Sequence, residues 1–305
     1  MTTANTFAGK PVLVTGASGF IGAHLCHALT ANGATVHALS RSQQGDTHHW
    51  WQADLSDYAA LERIFAAVRP VYVFHLASEV TGSRERSVVL PTLHSNLVST
   101  VNLLNLATEY GCERLILAGS LEEAQADSAP SSPYAAAKSA ASAYAQMFHN
   151  LYQTPLVTAR LFMVYGPAQR DTTKLIPYVT LQLLRGEVPK MSSGTRPVDW
   201  IYVADVVDGL LKCALTPGID GQTIDLGSGQ LVTIRDMVQT LAGIVSPEAR
   251  LAFGALPDRP FEQVRAANTA DSLARIGWGP RVPLADGLAA TVAYYRQRLA
   301  GDLPL

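Results

Sequence analysis

The segment Thr15-Gly-Ala-Ser-Gly-Phe-Ile-Gly22 constrains the fold of this chain more than any other. It follows an apolar run that predicts a buried strand over residues 11–15, and it leads into a helical pattern that continues to Leu29. The glycines, spaced G-x-x-G-x-x-G, allow a tight turn, close approach of the backbone to a pyrophosphate, and close packing of helix on sheet. The first amides of that helix would bind the phosphates. The segment therefore predicts a dinucleotide site.

Apolar runs and helical patterns alternate through the first half of the chain. The runs predict strands at 35–39, 71–77, 114–118 and 155–161, and the patterns predict helices at 61–68 and 88–110 and from Pro133. Strict alternation of this kind is typical of a doubly wound parallel sheet covered by helices on both faces. The fold class is therefore α/β, with a Rossmann-type sheet.

After residue 166 the alternation breaks into shorter elements. A strand is predicted over 198–203, and helices over 233–245, with a threonine cap, and over 284–299. We expect a cofactor-binding domain formed by residues 1–165 together with about 198–226. Residues 166–197 and 227–305 would then form a smaller α/β substrate lobe, with a cleft between the two.

Composition excludes several classes of function. The net charge is −2 and no block of like charge occurs, so nucleic acid is not an expected partner. The three cysteines are far apart, which indicates neither a disulfide framework nor a zinc site, and no metal is expected. No signal-like segment and no run of about 18 apolar residues is present, so we expect a cytoplasmic protein without membrane contact.

The end of the second predicted strand is expected to select the cofactor. An acidic residue there would bind the ribose hydroxyls of NAD, but this chain has Ser40 and Arg41. These two side chains could bind a 2′-phosphate, which favours NADP(H) and leaves NAD(H) open; alternatively, Arg41 is a solvated surface residue. Asp54 and Leu55 could flank the adenine or belong to a loop that caps a helix.

Ser120, Tyr134 and Lys138 form a second group of candidate residues. Ser120 follows a predicted strand, where α/β sheets place their sites, and Tyr134 and Lys138 share one helix face because they are four residues apart. A nearby ammonium is expected to lower the tyrosine pKa from about 10, making Tyr134 a general acid or base. Ser120 would orient a carbonyl group. His75, inside a predicted strand, is expected to be a buried histidine with its hydrogen bonds satisfied.

Taken together, these motifs resemble those of the extended short-chain dehydrogenases/reductases. Within that group the chain resembles the NAD-dependent epimerase/dehydratase family, which modifies nucleotide sugars. The resemblance runs from about residue 11 to about 299. It rests on TGASGFIG at 15–22, HLA at 75–77, Asn96 with NLLNLA at 102–107, Ser120, YAAAK at 134–138, RLFMVYGP at 160–167, VDWIYVADVV at 198–207 and RIGWGP at 275–280.

The resemblance implies a role for each matching residue. The catalytic set would be Ser120, Tyr134 and Lys138, with Glu122 at a position where dehydratases carry a catalytic acid. The cofactor would contact Gly16, Ser18, Gly19, Phe20, Ile21, Gly22, Ser40, Arg41, Asp54, Leu55, Leu76, Ala77, Ser78, Asn96, Tyr134 and Lys138. A nucleotide diphosphate sugar would contact Glu79, Ser120, Met163, Arg196 and Arg259, although either arginine could be a surface charge. The resemblance also implies a homodimer formed by the helices near 88–110 and 133–152.

Two positions depart from the family pattern. The V-Y-G sequence that usually follows the catalytic serine or threonine is replaced by Leu-Glu-Glu-Ala-Gln at 121–125, and the asparagine of R-x-x-N-V-Y-G-P is Met163. Glu122 could act in proton transfer or be a polar loop residue.

The sequence favours one activity and leaves others open. The first is NADP(H)-dependent reduction of a 4-keto sugar nucleotide, with Tyr134 as the general acid. The alternative is a nucleotide-sugar 4-epimerase or 4,6-dehydratase with tightly bound NAD. A more remote alternative is a non-catalytic dinucleotide sensor.

Overall fold

Two β-sheets organise the computed structural model, which describes residues 6–42, 47–125, 128–258 and 263–301. The strands are β1 Pro11–Thr15, β2 Thr35–Ser40, β3 His49–Gln52, β4 Tyr72–His75, β5 Arg114–Ser120, β6 Leu156–Leu161, β7 Met163–Tyr165, β8 Pro197–Tyr202, β9 Thr223–Leu226 and β10 Leu231–Thr233. The helices are α1 Phe20–Ala31, α2 Tyr58–Val68, α3 Val89–Thr92, α4 Ser99–Tyr110, α5 Pro133–Tyr152, α6 Leu175–Leu184, α7 Val203–Leu215, α8 Ile234–Val245, α9 Thr269–Ile276 and α10 Leu284–Ala300.

The larger sheet has seven parallel strands in the order β3-β2-β1-β4-β5-β6-β9. The chain moves outward from β1 to β3 and then returns to place β4 on the other side of β1. The strand order therefore reverses at β1 and β4, and in such sheets the crevice at their carboxyl ends binds the ligand.

Helices cover both faces of this sheet because its strands are apolar on both sides. Val12 and Val14 of β1 lie in one hydrophobic cluster with α1 and α7. Leu13 points the other way, into a cluster formed with α2, α4 and α5. This arrangement confirms the doubly wound parallel sheet that the alternating pattern predicts.

The smaller sheet has three strands in the order β10-β8-β7, with β7 parallel and β10 antiparallel to β8. Residues of α6, α8 and α10 pack with it into a third cluster that includes Val179, Leu241 and Leu288. This unit is the smaller C-terminal α/β part expected from the sequence. The domain boundaries remain a prediction.

Local sequence signals explain where the helices that carry the site begin. Ser132 accepts a hydrogen bond from the amide of Ala135, and Pro133 occupies the first turn of α5. The predicted threonine cap of α8 is also confirmed, since Thr233 accepts from the amide of Asp236.

Two elements differ from expectation. The helix predicted over 88–110 is composite: a 3₁₀ turn at Arg86–Val88, the short α3, a π-helical turn at Leu93–Val98 and then α4. The segment 198–226 is also divided, because β8 lies in the smaller sheet whereas β9 joins the larger one. The strands to which β8 and β9 are hydrogen-bonded decide which sheet each of them joins. Such partners cannot be identified from the pattern of apolar residues.

Candidate active site

The glycine-rich turn between β1 and α1 has no room for side chains. Gly16 has φ +68°, and a Cβ atom there would lie 2.6 Å from the amide nitrogen of Ala77 at the end of β4. A Cβ atom on Gly22 would lie 2.1 Å from the carbonyl oxygen of Gly16. Both contacts are far shorter than van der Waals distance, so the turn requires glycine at these positions.

The first turn of α1 is suited to an anion. Gly19 is the N-cap, α1 has no acidic residue in its first turn, and no side chain caps it. Ser18, Phe20 and Ile21 are all partly accessible. Because the first amides of a helix attract negative charge, this end of α1 fits the pyrophosphate of a dinucleotide.

Ser40 and Arg41 lie at the end of β2, two strands from β4 in the sheet. The Ser40 hydroxyl is buried and donates to the carbonyl of Ser42, while the Arg41 side chain is exposed. Asp54 lies nearby: its pKa is lowered by hydrogen bonds from the amide and hydroxyl of Ser56 and further by the charge of Arg41. A positive and a negative side chain therefore lie together after β2 and β3, next to the buried Leu55.

Asn96 fixes the loop that follows β4. Its Oδ1 accepts from the amide of Glu79 at 2.7 Å and from the Ser78 hydroxyl at 3.0 Å, and its Nδ2 donates to the Glu79 carbonyl at 3.1 Å. Asn96 is fully buried. It therefore holds Ser78 and Glu79 in place, beside Leu76 and Ala77.

His75 sits at the centre of a buried hydrogen-bond chain, as expected of a satisfied histidine. Its Nδ1 is 2.8 Å from Thr15 Oγ1, and its Nε2 is 3.1 Å from Thr100 Oγ1. Thr15 Oγ1 also accepts from the amide of Ala77, and Thr100 Oγ1 donates to the carbonyl of Asn96. Each hydroxyl has one proton, so Thr15 donates to Nδ1 and Nε2 carries the histidine proton.

This chain of hydrogen bonds keeps His75 neutral and connects β1, β4 and the π-helical turn. Burial, followed by the charge of Lys138, lowers the pKa of His75 to about 3. Thr15 and Thr100 were not identified from the sequence as residues that support the site, because isolated threonines in a strand and a helix carry no recognisable pattern.

Ser120 ends β5 and begins a tight turn. Its hydroxyl accepts from the amide of Glu122 at 3.2 Å, and its own amide donates to Glu123 Oε1 at 2.7 Å. The Glu123 amide donates to the Ser120 carbonyl at 3.1 Å. The turn therefore contacts the hydroxyl, amide and carbonyl of Ser120, and Glu123 is a supporting contact of Ser120 that the sequence did not single out.

Tyr134 and Lys138 lie on one face of α5, beside Ser120. The Ser120 and Ser78 side chains hydrogen-bond the Tyr134 hydroxyl. Lys138 Nζ lies 6.0 Å from the centroid of the Tyr134 ring and donates to the carbonyl of Ala118 at 2.8 Å. The structure thus brings together the three residues that the sequence singled out.

The electrostatics of this group differ from expectation. Burial raises the pKa of Tyr134 to about 12, and this effect outweighs the side-chain hydrogen bonds with Ser120 and Ser78, which lower it. Burial also lowers the pKa of Lys138 to about 8, against the opposing charge of Glu123. The expected lowering of the tyrosine pKa is therefore wrong for the ligand-free protein, since desolvation disfavours both charged forms.

Arg196 reaches the Ser120 turn from the segment that precedes β8. One of its guanidinium nitrogens lies 3.1 Å from Glu122 Oε1 and 3.0 Å from the carbonyl of Gln263. Arg196 and Glu122 are both partly buried. Met163 is also partly buried and pairs with Trp200 of β8. Arg259 lies outside the described residues.

Within the ranges that the structure describes, neither a metal-binding cluster nor a membrane-spanning helix is found. Among these residues, no group of three or more His, Cys, Asp or Glu side chains is arranged to hold a metal ion. No helix within the same ranges is long and apolar enough to cross a membrane.

Known proteins with similar sequences share this architecture. A sequence model of the NAD dependent epimerase/dehydratase family matches residues 12–227. A UDP-glucose 4-epimerase from Mycolicibacterium smegmatis is 31 % identical, over 94 % of this chain and 98 % of that protein. A dTDP-glucose 4,6-dehydratase from Neisseria gonorrhoeae is 28 % identical, over 94 % of this chain and 95 % of the relative.

Solved structures extend the similarity to three dimensions. The Thermus thermophilus UDP-glucose 4-epimerase, solved in complex with NAD, superposes with a TM-score of 0.81 at 27 % identity. The match covers 93 % of this chain and 98 % of that one.

Proposed function

Because the chain belongs to the NAD-dependent epimerase/dehydratase family, we propose that it is a nucleotide-sugar 4-epimerase that retains NAD through the catalytic cycle. The observation that carries the proposal is the contact of Ser120 and Tyr134 beside Lys138, at the sheet edge that also holds the glycine-rich turn. An epimerase needs one residue that takes and returns a proton at a sugar hydroxyl, and Tyr134 fits that role.

The residues of this chain would divide the work as follows. Ser120 donates a hydrogen bond to the sugar oxygen, and Tyr134 removes the hydroxyl proton and later returns it to the ketone oxygen. The ammonium of Lys138 stabilises the tyrosine phenolate. NAD held by the glycine-rich turn and the first amides of α1 would supply the hydride acceptor and donor for the sugar carbon. Inversion requires that the hydride return to the opposite face of the carbon.

The position of the glutamates favours epimerisation over 4,6-dehydration. Elimination needs an acid and a base in addition to the tyrosine, because a carbon-bound proton must leave together with a hydroxyl group. In the turn after Ser120, Glu122 is ion-paired with Arg196, and Glu123 is buried beneath the serine. Dehydration stays the second candidate, since a dehydratase is among the similar proteins.

The reductase that the sequence first favoured has less support. The similar proteins are epimerases and dehydratases, and the solved structure described above holds NAD. Arg41 remains available to a 2′-phosphate because its side chain is exposed at the end of β2. Preference for NADP(H) therefore stays a prediction, and Arg41→Ala tests it by comparing NADPH and NADH affinities.

One experiment separates the candidates. The purified protein is denatured, and the released nucleotide is identified and counted per chain. The protein is then incubated with UDP-glucose and with dTDP-glucose, and the products are separated. Retained NAD and formation of the C4 epimer support the proposal, whereas a 4-keto-6-deoxy product indicates a dehydratase. Empty protein that oxidises NADPH with a keto sugar would overturn it in favour of a reductase.

We also propose that the chain forms a homodimer through the α3 and α5 region. Large apolar side chains are exposed there, among them Val89, Leu90, Leu93, Tyr144 and Leu151. Apolar side chains grouped on neighbouring helices are typical of an interface between subunits. Leu90→Glu combined with Leu151→Glu should yield a monomer by analytical ultracentrifugation, while the unchanged protein sediments as a dimer.

A further inference from the structure

Glu123 is an acidic residue buried behind the catalytic turn, with only 4 % of its surface exposed. Oε1 accepts the amide of Ser120 at 2.7 Å, and Oε2 accepts the hydroxyl of Ser142 at 3.1 Å. Ser142 follows Lys138 by four residues, so the two side chains lie on one face of α5. The carboxylate therefore links the backbone of Ser120 to the helix face that carries Tyr134 and Lys138.

The backbone leaves a specific space for this carboxylate. A Cβ atom at Gly119 would lie 2.7 Å from Glu123 Oε1 and 2.9 Å from Thr158 Cγ2. Gly119 does not have a positive φ, so its glycine is not needed for backbone conformation. It is needed because the carboxylate packs directly against it. The chain thus pairs Gly119 in β5 with a buried acid four residues after it.

Charged groups surround the carboxylate from several elements. Arg160 of β6 places Nε 3.7 Å from Glu123 Oε2 and binds Asp225 of β9 at 2.8 Å. Arg265 is half-buried and interacts with both carboxylates. Toward the site, Glu123 acts on Lys138 and Tyr134 of α5. The remaining groups that face these two residues are Glu122 from the same turn and the neutral His75 from β4.

We propose that Glu123 is a positioning residue of this active site: it fixes Ser120 through its amide, and its buried negative charge acts on both Tyr134 and Lys138. A neutral side chain at position 123 would remove the acidic charge that counteracts the effect of burial on Lys138. An ionised carboxylate is also a stronger acceptor for the Ser120 amide than a neutral group. The inference rests on the proposed roles of Ser120, Tyr134 and Lys138.

The test separates the charge from the hydrogen bonds. Glu123→Gln keeps an acceptor for the Ser120 amide and removes the charge. Ser142→Ala is the matched control, since it removes one hydrogen bond from the same carboxylate and keeps the charge. Each protein is made with and without Tyr134→Phe, and the difference in near-ultraviolet phenolate absorbance isolates Tyr134 from the other ten of the eleven tyrosines. The titrations use the NAD-loaded protein.

We expect Glu123→Gln to lower the apparent pKa of Tyr134 by at least about half a unit, because a like charge that opposes the phenolate is lost. Ser142→Ala should leave it unchanged. Glu123→Ala, which also removes the acceptor, should speed amide hydrogen exchange in residues 119–123, whereas Glu123→Gln should not.

Three results would overturn the proposal. The pKa of Tyr134 could stay the same in Glu123→Gln, the control could shift it equally, or Glu123→Ala could leave amide exchange unchanged. None of these measurements needs a sugar substrate. A wrong assignment of the substrate or reaction would therefore not change their outcomes. Failure of the proposed function can thus be distinguished from failure of the role proposed for Glu123.

Discussion

The guanidinium of Arg196 lies 3.1 Å from the carboxylate of Glu122, and this ion pair joins the segment before β8 to the turn after β5. Arg196 comes directly before β8 of the smaller sheet, and Glu122 follows β5 of the larger one. Because Arg196 was expected to bind the substrate diphosphate, the pair implies competition. An incoming anion would replace or share the contact that Glu122 makes.

Arg196→Met should weaken binding of the nucleotide sugar. Loss of a charged hydrogen bond to a phosphate costs about 1.5–3 kcal/mol, so KM should rise roughly 10- to 100-fold with a smaller change in kcat. Steady-state kinetics with whichever nucleotide sugar is turned over in the product experiment provides the measurement. Glu122→Gln removes the competing charge and should leave KM equal or lower. If both variants raise KM alike, the pair is a structural bridge and Arg196 does not bind the phosphates.

Tyr134→Phe should reduce turnover about 100- to 10,000-fold while NAD is still retained, because only the proton-transferring hydroxyl is lost. Turnover and nucleotide content are measured on the same preparation. Tyr58→Phe is the control, since Tyr58 lies on α2 with its side chain exposed, and it should behave as the unchanged protein. Equal activity of both variants would exclude Tyr134 as the acid or base.

Gly16→Ala should abolish NAD retention. The substitution forces a Cβ atom to within 2.6 Å of the Ala77 amide, in addition to the backbone strain of a positive φ. Gly9 has the same φ of +68° with nothing within 4 Å, so Gly9→Ala carries the strain without the collision. We expect Gly9→Ala to cost about 1 kcal/mol of unfolding free energy and to leave NAD bound. Calorimetry measures the stability of each variant, and the amount of bound NAD per chain distinguishes Gly16→Ala from Gly9→Ala.

Acid should destabilise the protein through His75. Its pKa in the folded state is about 3, below the unfolded value of about 6.5, so the unfolded chain binds the extra proton between these values. The free energy of unfolding should therefore fall as the pH drops from about 6.5 toward 3, by an amount on the order of 4 kcal/mol for this residue.

Urea unfolding at several pH values measures this slope. His75→Gln should give a flatter dependence on pH, whatever its stability at neutral pH. The exposed His27 provides the control, and His27→Gln should keep the slope of the unchanged protein. An unaltered slope in His75→Gln would show that His75 does not cause the acid sensitivity.

The sequence predicted the parts of the site that depend on short spacing. The glycine turn needs only Gly16, Gly19 and Gly22 after a strand, and helical spacing alone places Tyr134 and Lys138 on one face. Their meeting with Ser120 followed from the rule that parallel strands bring their carboxyl ends to one edge. These inferences use local geometry and one rule of topology.

The remaining features depend on contacts between distant segments. Glu123 reads as one more polar residue in an acidic loop, and only the Gly119 space and the Ser142 hydroxyl show that it is buried. The rise in the Tyr134 pKa has the same origin, because desolvation depends on everything packed around the ring. Likewise, Arg196 was a candidate on charge alone, and its contact with Glu122 spans 74 residues.

Because the turn at Leu93–Val98 is π-helical, the number of residues in this segment is more tightly constrained than their types. Removing one residue ahead of Asn96, such as Ser95, would let the helix close into a regular α-helical repeat. Asn96 would then rotate by about 100° relative to the residues before it, away from the Glu79 loop. A deletion that changes no functional side chain would thus disconnect the loop, so an alignment gap here would signal a different site.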